Sequence, residues 1–320
     1  MTAVFDMHQD MLLPEKSPEI FEYGNLDQTG FQQIENSPIS LVVASGFPYP
    51  KDGKHFDTGV FSLIEEDLQD YIEYCDGHTG WHMVTTDALL EKSVCGEGIG
   101  ILFHIEGLNA FRGTPEQWEM FEDWYRRGWR SVGMVWNYKN ALGGGADSDV
   151  GLSTLGSEFL EWCEAHHMLI DTAHMNEKTF RQTLDVVEGP LVATHANARA
   201  LCERPRNFSA EQIRAIGERG GVVGVFFSRN FLVSGGGGAT IDTIIDHIQY
   251  IEEHGGKEAV VLGTDFGGND SPPMEGMKTV RDLPNLFKAL RSRGYSEDDC
   301  QRIGWRNAYR VLKDVLPRSG

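Results

Sequence analysis

Ile99-Gly100-Ile101-Leu102-Phe103-His104-Ile105-Glu106 is an apolar run that ends on a carboxylate. A run of this length and composition reads as a strand buried on both faces, the kind found in parallel sheets. A charged group directly after it is costly to bury without a partner. The same grammar recurs along the chain. Val4-Phe5-Asp6-Met7 leads into His8 and Asp10, Leu169-Ile170-Asp171-Thr172-Ala173 into His174, Leu191-Val192-Ala193-Thr194 into His195, and Val260-Val261-Leu262-Gly263-Thr264 into Asp265. Further strand candidates lie at Ile39–Ala44, Ser131–Trp136 and Val222–Phe227, and the run at 168–172 begins at Met168. Between these eight candidates lie helical patterns at Phe61–Cys75, Thr114–Arg127, Leu155–His167, Glu177–Val187, Ala210–Arg219, Ile241–His254 and Val280–Ser292, with a last helix expected at Gln301–Leu316. Strands alternating with helices predict an α/β fold, a (β/α)8 TIM barrel, in which the carboxyl ends of all strands meet at one mouth.

Length and charge narrow the reading. The 320 residues contain no linker, repeat or low-complexity tract, so residues 1–320 are expected to form a single barrel domain with a C-terminal helix. A formal charge of −20 excludes a nucleic-acid or anionic-membrane partner as the simple expectation. The five cysteines are odd in number and scattered without a CxxC pair, which predicts buried, unpaired thiols in a reducing compartment. The first strand candidate starts at Val4, leaving no room before it for a secretory signal, and no apolar run approaches a membrane span; a cytoplasmic protein is expected. The glycine clusters Gly143–Gly145 and Gly235–Gly238 lack a following Lys and Ser/Thr, so they read as mouth loops rather than phosphate loops.

The strand-end residues carry the chemistry. His8 and Asp10 are two apart, so on an extended chain their side chains share a face and can clasp one ion. Glu106 offers two oxygens and can bridge two cations, which would remove the cost of burying its charge. His174 and His195, from successive strands, supply imidazoles of the kind that suit zinc. Asp265 can take a proton from a metal-held water and return it to a leaving amine. Each has a blander reading alone: an exposed loop pair, a solvent-facing strand-end Glu, a capping or core histidine. The repetition at five strand ends favours a metal-dependent hydrolase. His104, on the face of Glu106 but one layer deeper, is read as a satisfied histidine behind the site. His55, His78, His82, His166, His167, His247 and His254 are read as surface residues.

These motifs resemble the renal, or membrane, dipeptidase family of the amidohydrolase superfamily, over nearly the whole chain and in order: Asp6-Met7-His8-Gln9-Asp10, Ile105-Glu106-Gly107, Asp171-Thr172-Ala173-His174, Thr194-His195-Ala196-Asn197-Ala198-Arg199-Ala200-Leu201 and Gly263-Thr264-Asp265-Phe266-Gly267-Gly268. The resemblance implies a barrel with two Zn2+ per chain, one held by His8 and Asp10, the other by His174 and His195, with Glu106 between them. It implies Asp265 as proton shuttle, Arg206 as the grip on a substrate's terminal carboxylate, a dipeptide as substrate and a homodimer. Other divalent ions suit the same donors. Relatives in the superfamily that open HxH bridge their metals with a carboxylated lysine; here Lys139 lies in a loop, and Glu106 takes that role.

The pattern departs at one place. Where the renal enzyme carries a histidine after the fourth strand, this chain has Trp136, followed by Asn137. Trp136 and Asn137 are therefore candidate substrate contacts, with Asn140 as another polar group nearby or a brace for its loop. The change leaves a second substrate class open, a small amide, lactam or lactone. A non-catalytic scaffold on the same barrel is the reading from a different class; the full ligand set speaks against it.

Overall fold

The computed structural model describes residues 3–12, 28–48, 61–268 and 272–319. Its strands are β1 (Val4–Gln9), β2 (Ile39–Gly46), β3 (Trp81–Met83), β4 (Ile99–Glu106), β5 (Trp129–Gly133), β6 (Leu169–Asp171), β7 (Val192–Ala193), β8 (Val222–Val225) and β9 (Val260–Leu262). They pair in the order β2-β1-β9-β8-β7-β6-β5-β4-β3, and β2 also pairs with β4. The pairings thus cycle through β1, β2 and β4 to β9, the connectivity of an eight-stranded barrel, and those eight are the strands expected from the sequence. β3 is an addition. It pairs in parallel with the start of β4, Trp81 with Ile99 and Met83 with Ile101.

Contacts divide the chain into two compact units, residues 1–44 with 193–311 and residues 45–192 with 312–320. In the first unit β1 runs parallel to β2 and β9, with Phe5 opposite Leu41 and Asp6 opposite both Val42 and Leu262. β8 and β9 align Val223 with Val260 and Val225 with Leu262. Every residue of these strands except Ser40 is buried, which explains why they read as near-continuous apolar runs. Helices Ala210–Glu218 and Ile241–Gly255 bury Ile213, Ile216, Ile244, Ile245, Ile248 and Ile251. Each such side chain contributes about 1.5–3 kcal/mol of burial. Capping boxes at Ser209 and Thr240 begin the two helices by accepting otherwise orphaned backbone N–H groups.

The second unit is held by rings. β4 pairs with β5, His104 opposite Ser131 and Glu106 opposite Gly133, and β5 with β6, Gly133 opposite Asp171. Behind them Phe111, Phe121, Trp124, Trp129 and Phe159 are buried, with Phe111 and Phe121 centroids 4.7 Å apart and Phe121 and Trp129 centroids 5.3 Å apart. Offset and edge contacts of this kind add to plain area burial. Pro115 occupies the first turn of helix Pro115–Arg127, where no N–H is required.

The last helix arrives in pieces, Glu297–Gln301, a π turn at Arg302–Arg306, then Asn307–Val315. All five cysteines are free; Cys163, Cys202 and Cys300 are buried as expected, but Cys75 is half-buried and Cys95 exposed. Among the described residues no helix is long and apolar enough to cross a membrane.

Candidate metal centre

His8 lies in β1 and is wholly buried, and Asp10 follows the strand. The alternation of an extended chain brings His8 Nε2 to 3.7 Å from Asp10 Oδ2. Asp265 donates its backbone N–H to the carbonyl of His8 at 2.9 Å and places Oδ1 3.8 Å from His8 Nε2. The His195 ring sits beside that of His8, centroids 3.9 Å apart. Ligand atoms of His8, His195 and Asp265 all lie within 4.8 Å of one another. Asp10 and Asp265 are 2% and 7% exposed, so two carboxylates share a nearly dry space with two imidazoles. A divalent cation would offset the desolvation and repulsion of such a set, and its mixed N/O donors suit Zn2+, Mn2+, Co2+ or Fe2+.

The backbone around this group is braced from below. Asp6 is fully buried and accepts from Gln9 Nε2 at 2.6 Å, Thr264 Oγ1 at 2.6 Å, the Thr264 N–H at 2.9 Å and the His8 N–H at 3.3 Å. Burial raises its carboxyl above the usual range, and the bonds from Thr264 and Gln9 pull it back. Gln9 in turn accepts from Thr29. Gly268 leaves room for both acids: a Cβ there would lie 2.2 Å from Asp10 Oδ2 and 2.8 Å from Asp265 Oδ1. Arg206, also buried, donates Nη2–H to the His195 carbonyl at 2.7 Å and lies 5.8 Å from the centroid of the Phe226 ring. It therefore braces a candidate ligand, a task its sequence reading did not include.

In the second unit Glu106 ends β4, with Oε1 2.7 Å from His174 Nε2. The Nδ1 of His174 is 2.8 Å from Asn137 Oδ1. An amide oxygen only accepts, so Nδ1 carries the proton, and a cation held between Nε2 and Glu106 would find the Nε2 lone pair free, the tautomer a metal ligand needs. Asn137 thus acts on His174, a partnership not read from the sequence. Trp136 is half-buried, its ring 5.9 Å from His174, 5.3 Å from Phe47 and 5.8 Å from Tyr138. Asn140 braces its own loop, donating to the Met134 carbonyl and accepting from the Leu142 N–H. Lys139 is exposed in that loop.

His104 is fully buried, Nδ1 2.8 Å from Ser131 Oγ and Nε2 3.6 Å from Asp171 Oδ2, and burial pushes its pKa down to about 3. It is a neutral histidine behind Glu106, as expected. Asp171 accepts the Ala173 N–H and so holds the residue before His174. Among the described residues only His167, His174 and Asp265 are non-glycines with positive φ, at 53°, 66° and 59°. Two of the three are candidate site residues, where such strain tends to gather. One surface reading is corrected: His247 is wholly buried, because it lies on the apolar stripe of helix Ile241–Gly255. His55 lies outside the described residues.

The family model of the membrane dipeptidases, peptidase family M19, matches residues 1–317. The chain belongs to that family. A Klebsiella pneumoniae protein named as an uncharacterized protein in the pqqA 5' region is 40% identical over 228 residues, 68% of this chain and 82% of its own length. An uncharacterized dipeptidase of Schizosaccharomyces pombe is 31% identical over 220 residues, 67% of this chain and 53% of its own. Against several such curated relatives the match spans about half their length, from 50% to 53%. A Rhodobacter sphaeroides metallopeptidase, solved with a phosphinate mimic of the dipeptide L-Ala-D-Ala, superposes with a TM-score of 0.84 over 98% of this chain and 99% of that one at 23% identity. That likeness is one of fold, and the shared fold is the (β/α)8 barrel expected from the strand grammar.

Proposed function

We propose that the protein is a binuclear metal-dependent dipeptidase that cleaves the amide bond of dipeptides with a free C-terminal carboxylate. The observation that carries this reading is the buried group His8, Asp10, His195 and Asp265, a donor set fitted to divalent cations, in a chain of the M19 family. A (β/α)8 barrel presents the carboxyl ends of its strands at one face. By the resemblance of their motifs to that family, His8 and Asp10 would hold one ion, His174 and His195 a second, and Glu106 would serve both, with zinc as the first candidate metal.

When bound, the ions supply Lewis-acid polarisation of the scissile carbonyl and lower the pKa of the attacking water. The chain supplies the rest. Asp265, held beside His8 by its own backbone, accepts the proton and passes it to the departing amine. Asn137 holds His174 in the tautomer that leaves Nε2 for a metal. Arg206 receives the substrate carboxylate through its guanidinium fork while Nη2 stays on the His195 carbonyl, so carboxylate recognition and ligand position share one side chain. Trp136, flanked by Phe47 and Tyr138, offers an aromatic face to the substrate. The R. sphaeroides neighbour's dipeptide mimic supports the substrate class. A cytoplasmic location and a homodimer belong to the same proposal: the free cysteines support the first, the family the second, and cell fractionation and light scattering test them.

The decisive assay pairs metal analysis with a panel of L,L and L,D dipeptides, their C-terminal amides, and small lactams and lactones. About two equivalents of divalent metal per chain and turnover confined to free-carboxylate dipeptides are expected. Turnover of lactams or lactones with no dipeptide cleaved would move the assignment to the second substrate class. Asp265→Asn should keep its metal yet turn over about 10²–10⁴-fold more slowly. Hydrolysis by that variant at the parent rate would strip Asp265 of its role.

A further inference from the structure

Thr194 is the residue before His195, and its hydroxyl lies between two imidazoles. Oγ1 is 3.0 Å from Nδ1 of His195 and 3.3 Å from Nδ1 of His8. The other nitrogen of His8, Nε2, faces Asp10 Oδ2 at 3.7 Å and Asp265 Oδ1 at 3.8 Å. Thr194 is wholly buried, as is His8, and His195 is 2% exposed. The next two strands in the chain leave room for it, Gly224 in β8 and Gly263 just after β9. A Cβ on Gly224 or on Gly263 would lie 1.9 or 1.8 Å from the Thr194 carbonyl oxygen, so both positions must be glycine for the backbone to pass where it does. The backbone that carries the hydroxyl is thereby fixed by two close approaches.

We infer that Thr194 is a positioning residue that selects the ring tautomer of His8 and His195 together. This rests on the metal reading proposed above, in which the two rings serve different ions. A hydroxyl has two lone pairs and can accept two N–H groups at once. With both Nδ1 protons on Thr194, both Nε2 lone pairs are left to ligate, and both rings are held at the angle that presents them. One side chain then tunes both metal positions, although only one ligand is its neighbour in sequence. Valine has the shape of threonine without the lone pairs, whereas serine keeps them.

The test is zinc binding by the purified, chelator-stripped protein, followed by competition with a chromogenic chelator. Thr194→Val should weaken both zinc equivalents by about 10- to 100-fold, and Thr194→Ser should stay near the parent. Weakening of one equivalent alone, or of neither, overturns the inference. A parent protein that binds no zinc defeats the functional reading itself, and this inference with it. A second measurement needs no variant at Thr194 that must fold. In zinc-loaded parent protein labelled with 15N-histidine, the ring nitrogens of His8 and His195 should both show protonated Nδ1 and metal-bound Nε2. Metal on Nδ1 of either ring overturns the inference.

Discussion

His8 and His174 are both buried imidazoles at strand ends, yet the two units hold them by different means. In the first unit His8 is inside β1, its N–H donated to Asp6 and its carbonyl taken by the N–H of Asp265. The neighbouring carboxylates stand where they do because Gly268 gives them room. In the second unit His174 lies beyond β6 with φ at 66°, and the side chains of Asn137 and Glu106 meet its two nitrogens. The first arrangement is a property of backbone, the second of side chains. A backbone-set ligand should keep its place until space is taken away, although the Thr194 contact to its ring depends on a side chain, and a side-chain-set ligand should weaken with each partner removed.

The largest expected effect comes from breaking the second arrangement at its charge. Glu106→Gln keeps the shape of the side chain and removes the negative charge opposite His174. Metal content and turnover should fall together, turnover by on the order of 10³-fold or more. Metal analysis alongside the dipeptide assay separates this from a purely catalytic loss; a variant that keeps full metal would reassign Glu106 to the chemistry alone.

Next comes the first arrangement, attacked through space. Gly268→Ala introduces a methyl group 2.2 Å from Asp10 Oδ2 and 2.8 Å from Asp265 Oδ1, and both acids must move. A displacement of about 1 Å at reacting groups costs roughly 100-fold in rate, and that loss is expected with the melting temperature little changed. Parent activity in this variant would show that the two carboxylates are not held to their positions.

Asn137→Ala should have the smaller consequence of a lost supporting bond. The Nδ1–H of His174 loses its acceptor, and metal affinity should drop by about 10- to 100-fold, with Asn137→Asp retaining most of it because a carboxylate still accepts. If alanine and aspartate behave alike, the Asn137 bond does not set the tautomer and the contrast between the two units is weaker than drawn.

What the sequence disclosed follows the same division. The strand ends stood out because an ionisable group interrupts an apolar run, and that signal is local; it yielded the eight strands of the barrel and the ligand candidates. The supports did not stand out. Asp6 is one polar residue inside an apolar strand, and its partner Thr264 is 258 residues away. Asn137 and His174 are 37 apart. No periodicity links such pairs; only the pairing of strands brings them together. β3 escaped because it is three residues long with one buried, too short for alternation to show. His247 is different, since its signal was present. It falls on the helical stripe Ile244, His247, Ile248, Ile251, and only its polarity argued for the surface.

That buried histidine gives the smallest effect and the test of how far the backbone arrangement extends. The N–H of Ala198 donates to His247 Nδ1 at 3.0 Å, which places the ring proton on Nε2, 3.0 Å from the Leu232 carbonyl that accepts it. Ala198 closes the segment that begins with Thr194 and His195, so the helix holds that segment through a neutral imidazole. Burial keeps the His247 pKa below its ordinary value, against the opposing pull of the Leu232 bond. In the unfolded chain the ring titrates near 6.5. Its contribution to stability is therefore whole above that value and declines as pH falls below it, because the unfolded state takes up a proton that the folded state refuses. Urea unfolding at about pH 7.5 and 5.5 should show the parent losing about 1 kcal/mol more than His247→Gln across that interval. Equal losses in the two proteins would mean that the ring takes up its second proton and gives up the Ala198 N–H at no cost, and that the segment carrying His195 is held by its own strand rather than by the helix behind it.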